Sequence, residues 1–129
     1  MSQLEFYLQK LQYETDSSDL FSALEQGENI IVVDTRSKEL YEQEHIPGAV
    51  SIPHRTMDEI TTGELDKDKL YVTYCNGIGC NASTKGALKL AQYGFKVKEL
   101  IGGIDWWKRD GYQTKGIKSQ PGKEIVCGC

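Results

Sequence analysis

The chain has 129 residues, of which 39% are hydrophobic and 26% charged, and its formal net charge is -4. This length fits one domain with its own hydrophobic core. The acidic balance and the lack of a run of Lys and Arg exclude a polyanion-binding stripe, so nucleic acid is not an expected partner. No stretch is long and apolar enough to span a bilayer, so no membrane association is expected either.

The N-terminal residues have no basic region followed by an apolar core, which a secretory signal would require. We therefore expect a cytoplasmic protein. The sequence contains four cysteines. In a reducing compartment these are expected to be reactive, redox-active or metal-binding rather than paired in structural disulfides.

The first part of the chain predicts two helices and a strand. Helical spacing of apolar residues predicts a helix over 3–13, and a second helix over 17–26 ends at Gly27. Residues 30–33 are wholly apolar and β-branched, which is typical of a strand buried on both faces. The apolar positions of the first helix are Leu4, Tyr7, Leu8 and Leu11.

The middle of the chain predicts short elements. Ser37 can cap a helix over 38–44, and a Pro-Gly turn precedes a short strand over 49–52. Residues 54–69 are polar and predict a short helix with loops. Residues 70–74 predict the next strand.

A glycine-rich loop then leads to a helix over 83–93, a strand over 96–101, and a final helix opened by Gly102-Gly103. Short strands that alternate with helices indicate an α/β fold with a mostly parallel sheet. Residues 113–129 are expected to form a loosely ordered tail.

The loop after the strand over 70–74 carries the most informative residue, Cys75. Ligands bind at the carboxyl ends of strands in open α/β sheets, and a helix N-terminus attracts anions. Gly77 and Gly79 allow backbone amides to turn inward and form an anion nest, which would favour the thiolate of Cys75. The alternative is a strand-end cysteine that only packs. The expected anion-binding loop comprises Asn76, Gly77, Ile78, Gly79, Cys80, Asn81 and Ala82.

Five segments, in order, resemble the rhodanese family over residues 15–112. They are Val32-Val33-Asp34-Thr35-Arg36, His45-Ile46-Pro47-Gly48-Ala49, Tyr74-Cys75, the helix with Ala87, Leu90 and Gly94-Phe95, and Leu100-Ile101-Gly102-Gly103 with Trp107 and Gly111-Tyr112. The resemblance implies a single rhodanese-like domain whose mostly parallel central sheet is flanked by helices on both faces. Residues 1–14 would form an N-terminal helical extension, and residues 113–129 a C-terminal tail.

The resemblance also implies a sulfurtransferase. Cys75 would take sulfane sulfur from a small donor anion such as thiosulfate and carry it as a persulfide to a thiol or another nucleophile. No cofactor and no metal are implied. Asp34 and Arg36 are expected to support the site by tying the sheet to neighbouring loops.

Two departures from the family pattern concern the loop. It is about two residues longer than usual, and Ala82 stands where the family often has an Arg. It also contains Cys80, five residues after Cys75. Cys80 could resolve a persulfide or a sulfenate on Cys75 as a disulfide.

Several alternatives stay open. The pair Cys75 and Cys80 also fits a redox or sulfur-sensing module that binds a partner and turns over little. A phosphatase or arsenate reductase is less favoured, because Asn81 occupies the position where phosphate chemistry needs an Arg.

The sequence ends in a second pair of thiols, Cys127 and Cys129. A Cys-x-Cys pair can act as a dithiol, bind a metal or accept sulfur from Cys75. A zinc site made from all four cysteines is not favoured, because the spacings do not match paired ligand knuckles.

Overall fold

A five-stranded sheet forms the centre of the computed structural model, which describes residues 1–126. The strand order is β1-β5-β4-β2-β3, and every described pairing is parallel. This confirms the predicted α/β class with a mostly parallel sheet. The strands are β1 (Glu14–Thr15), β2 (Ile30–Asp34), β3 (Val50–Ser51), β4 (Leu70–Tyr74) and β5 (Lys96–Leu100).

The described residues form five α-helices and one 3-10 turn: three helices and the 3-10 turn lie between strands, one helix precedes β1 and one follows β5. Three of the helices start at a side chain that accepts a backbone N–H, namely Ser2, Asp16 and Ser37. Such caps satisfy amides that have no partner inside the helix. The helices are α1 (Gln3–Tyr13), α2 (Ser17–Glu25), α3 (Lys38–Gln43), α4 (Ala82–Gln92) and α5 (Gly103–Arg109), and the 3-10 turn is His54–Thr56.

The core has one layer on each face of the sheet. The first layer joins α2 and α5 to the sheet through Leu20, Phe21, Val32, Val72, Ile104 and Trp107, among others. The second contains Val33, Met57, Tyr71, Leu90 and Phe95, and it places α4 on the opposite face. Adjacent residues of β2 and β4 point to opposite layers, which explains why both strands are apolar almost throughout.

The sequence did not predict β1. Its two residues pair with Glu99 and Leu100 at the edge of the sheet. A two-residue strand carries no periodicity, so only its pairing with β5 identifies it.

The segment after α5 is more ordered than expected up to residue 123. Thr114 is buried, and its hydroxyl donates to Glu44 Oε2 at 2.7 Å. His45 and Lys115 exchange two backbone hydrogen bonds of 2.8 and 2.9 Å. These contacts fix the start of the predicted tail on the domain. The predicted thiol pair Cys127 and Cys129 lies outside the described residues.

Within residues 1–126, no helix is both long enough and apolar enough to cross a membrane.

Candidate active site

Cys75 follows β4 directly and is 2% exposed. The chain then runs through an exposed loop to Asn81, where α4 begins. Cys75 therefore lies between the end of a strand and the start of a helix, at the place in the chain that the sequence predicts. The first backbone N–H groups of α4 have no acceptor inside the helix, as in every α-helix, and they lie at the end of the helix that joins the cysteine loop.

The start of the loop rests on the first turn of α5. The N–H of Ile104 donates to the carbonyl oxygen of Cys75 at 3.0 Å, and the N–H of Asp105 donates to that of Asn76 at 2.9 Å. Gly103 lies so close that a Cβ atom there would overlap the Cys75 carbonyl oxygen and lie 2.9 Å from the Gly77 nitrogen. Gly103 also has a φ of 58°, which favours glycine. Hence α5 sets the position of Cys75.

A disulfide joins Cys75 to Cys80, with the two Cα atoms 6.3 Å apart. A backbone hydrogen bond of 3.3 Å from the Cys80 N–H to the Gly77 carbonyl closes the intervening turn. Gly79 has a φ of 92°, which lets the backbone reverse there. The loop therefore folds back on itself and brings the second thiol to the first.

Asp34 and Arg36 form an ion pair beneath the loop. Arg36 Nη2 donates to Asp34 Oδ2 at 2.7 Å, and Arg36 Nη1 donates to Asn76 Oδ1 at 3.0 Å. Arg36 Nη2 also donates to the Glu44 carbonyl at 2.6 Å. Burial lowers the pKa of Arg36, but hydrogen bonding and attraction from Asp34 outweigh it, so that its pKa is raised. Arg36 thus links the sheet to the residue after Cys75.

Tyr74 extends this network into the core. Its hydroxyl donates to Asp34 Oδ2 at 2.8 Å and accepts the Ile46 N–H at 3.1 Å. Burial and the neighbouring Asp34 carboxylate raise the pKa of Tyr74, so its hydroxyl stays protonated. The carboxylate of Asp34 is fully buried but has donors on both oxygens.

A shallow depression of about 670 Å³ lies beside the loop. Sequence reasoning did not assign a role to two of its residues, Asp105 and Arg109. Their side chains pair at 3.1 Å, and the guanidinium of Arg109 lies 5.4 Å from the ring centre of Trp106. The i,i+4 spacing of Asp105 and Arg109 was visible in the sequence, but their proximity to the cysteine loop was not. The lining residues are Asn76, Gly77, Ile78, Gly79, Cys80, Asp105, Trp106 and Arg109.

The first turn of α4 contacts the carboxylate of Glu99. The hydroxyls of Ser83 and Thr84 donate to Glu99 Oε2 at 2.7 and 2.6 Å. Thr73 donates to the Ser83 carbonyl at 3.0 Å and ties the same turn to β4. Ala82, where the rhodanese pattern often has an Arg, is buried and uncharged. The depression beside the loop is lined by the guanidinium of Arg109 on α5, which pairs with Asp105.

Comparisons with known proteins agree with this architecture. The family model of the rhodanese-like domain matches residues 17–110. The thiosulfate sulfurtransferase GlpE of Coxiella burnetii is 37% identical over 82 residues, which cover 62% of this chain and 73% of that protein. The HTH-type transcriptional regulator Rv0324 of Mycobacterium tuberculosis is 33% identical over 94 residues, or 73% of this chain and 41% of the regulator.

A solved structure, the BH2092 protein from Bacillus halodurans, has the same fold with a TM-score of 0.86 and 48% identity. The match covers 90% of this chain and 85% of that one.

Proposed function

The chain belongs to the rhodanese-like domain family, and on this premise we propose that it is a sulfurtransferase that carries sulfane sulfur as a persulfide on Cys75. The observation that carries the proposal is the position of Cys75, between the end of β4 and the start of α4. The similarity to a thiosulfate sulfurtransferase supports the reaction class.

In the first half-reaction, the Cys75 thiolate attacks the outer sulfur of thiosulfate. A new S–S bond forms on Cys75, the S–S bond of thiosulfate breaks, and sulfite leaves with its electron pair. The amides of the loop and of the first turn of α4 offer hydrogen bonds to the persulfide anion. In the second half-reaction, a thiol or another nucleophile removes the sulfur.

Arg109 is the residue proposed to attract the anionic donor, in place of the Arg that is absent at Ala82. It lines the depression beside the loop. We expect Arg109→Gln to raise KM for thiosulfate several-fold and leave kcat nearly unchanged, because the charge acts on binding alone. Arg55→Gln is the matched control, since Arg55 is exposed and does not line this depression. An equal effect of both substitutions would contradict this role.

The direct test of the function is a sulfite burst. Reduced protein is mixed with excess thiosulfate without an acceptor, and sulfite is measured on the scale of a single turnover. We expect about one equivalent of sulfite per chain and none from Cys75→Ser. The burst reports attack by Cys75 alone and does not depend on the later fate of the persulfide. Equal sulfite from the two proteins would refute Cys75 as the nucleophile.

A redox or sulfur-sensing module is the second candidate, because Cys75 and Cys80 are joined in a disulfide. Similarity to part of a transcriptional regulator fits a sensing role as well. Cys80→Ser discriminates between the two roles. If sulfur transfer persists but oxidant no longer forms the disulfide, Cys80 is regulatory. If sulfur transfer is lost, Cys80 belongs to the catalytic cycle.

A further inference from the structure

We propose that Cys80 resolves the Cys75 persulfide, so that the chain releases hydrosulfide and is reset by a dithiol. This inference rests on the proposed function, because it begins from the persulfide. It adds the chemical class of the acceptor and the product. The observation behind it is the disulfide between Cys75 and Cys80.

The loop is built to bring the two sulfur atoms together. The hydrogen bond from the Cys80 N–H to the Gly77 carbonyl closes the turn, and the positive φ of Gly79 reverses the backbone direction. The backbone of Cys80 is therefore held near Cys75 by more than the S–S bond. A Cα separation of 6.3 Å lies in the range of ordinary disulfides. A thiol held at this distance has a large effective concentration toward Cys75 compared with any thiol in solution.

Burial favours the internal thiol over an external one. Cys75 is 2% exposed, whereas Cys80 is only partly buried. A bulky acceptor therefore reaches Cys80 more readily than Cys75. The first-turn bonds from α5 hold the Cys75 carbonyl in place, so the backbone around this cysteine does not open easily.

The resolving step balances as a thiol–disulfide exchange. The sulfur of Cys80 attacks Cys75 Sγ, the bond from Sγ to the outer sulfur breaks, and the outer sulfur leaves as hydrosulfide with the proton of the Cys80 thiol. The products are the Cys75–Cys80 disulfide and HS⁻.

A dithiol then restores both cysteines. One of its thiols attacks the more accessible Cys80 sulfur, and Cys75 leaves as a thiolate beside the start of α4, where the helix dipole stabilises it. The second thiol of the dithiol closes its own disulfide and frees Cys80. In sum, thiosulfate and a dithiol give sulfite, hydrosulfide, a cyclic disulfide and a proton.

The experiment compares wild type, Cys80→Ser and Cys75→Ser after reduction and removal of reductant. Each is mixed with thiosulfate, and sulfite, hydrosulfide and intact mass are measured. Wild type is expected to release both products and to end about 2 Da lighter, as a disulfide. Cys80→Ser is expected to release sulfite, gain about 32 Da as a trapped persulfide, and release at least about tenfold less hydrosulfide.

The outcomes separate the two proposals. If neither wild type nor Cys80→Ser releases more sulfite than Cys75→Ser, the proposed function fails. If wild type releases sulfite but keeps the added sulfur, on Cys75 or on Cys80, the function stands and resolution by Cys80 is overturned. Ile60→Ser is the surface control, because Ile60 is exposed, lies outside the cysteine loop and leaves both cysteines in place. Cys80→Ala replaces Cys80→Ser if the serine variant does not fold by circular dichroism.

Turnover supplies the test of acceptor class. Dithiothreitol is compared with mercaptoethanol at equal thiol concentration and excess thiosulfate. We expect faster hydrosulfide production with the dithiol for wild type. In Cys80→Ser the preference should be smaller but not absent, because a dithiol that takes the outer sulfur from Cys75 can still expel hydrosulfide by cyclisation. Equal rates with both thiols would overturn the dithiol assignment.

Discussion

Replacing Gly103 with alanine should detach the cysteine loop from α5. An L-residue at its φ of 58° costs about 1–2 kcal/mol. The new Cβ would overlap the Cys75 carbonyl oxygen, so the first turn of α5 must move away from the loop. That movement breaks the bonds from Ile104 and Asp105, worth about 1 kcal/mol each. We therefore expect Gly103→Ala to lower the free energy of unfolding by about 3–4 kcal/mol.

Gly79→Ala is the matched control. Gly79 also has a positive φ, of 92°, but a Cβ there meets no atom within 4 Å. Only the cost of placing an L-residue at positive φ applies, so the free energy of unfolding should fall by about 1–2 kcal/mol. Urea unfolding of both variants and the wild type, in reductant so that no disulfide contributes, gives the comparison. Equal losses for both variants would refute the close packing of the loop on α5. The sulfite burst should also slow in Gly103→Ala, because Cys75 is displaced.

The network beneath the loop makes two further predictions, and His54 of the 3-10 turn makes a third. Tyr74→Phe should cost about 1–3 kcal/mol in urea unfolding, since the Ile46 N–H loses its acceptor; no change would show that another acceptor replaces it. Arg36→Leu should cost about 3–5 kcal/mol, because the buried Asp34 carboxylate loses its cation; Arg36→Lys, which keeps the charge, should cost less. Burial and surrounding positive charges lower the pKa of His54 below 6.5. The unfolded chain then binds the proton more readily, so the free energy of unfolding should fall as the pH drops below about 6.5. His54→Gln should flatten that dependence, and an unchanged pH profile would contradict it.

Most of the secondary structure was predictable from local pattern. The helix predicted over 3–13 and the strand over 70–74 match the observed bounds. The helix predicted over 83–93 is observed as Ala82–Gln92, one residue earlier at each end. Periodicity, caps and glycine stops act within a few residues along the chain, so one sequence is enough to detect them. The two-residue β1 was missed because its only support is a partner strand far away in the chain.

The candidate site was predictable in its centre but not in its surroundings. The position of Cys75 followed from a strand, a glycine-rich loop and a helix that are contiguous in the sequence. Asp105 and Arg109 were missed, because α5 is about thirty residues further along and only packing brings it to the loop. The docking of Thr114 on Glu44 was missed for the same reason, since the two residues are 70 positions apart.

The sequence by itself determined the α/β class, the order of the elements and the nucleophile candidate, because hydrophobic period and turn residues are local properties. Only the tertiary structure decided which helix supports the loop, which guanidinium faces it, and that Cys80 reaches Cys75. Those contacts depend on the path of the whole backbone and on close packing across the sheet, which no local pattern encodes.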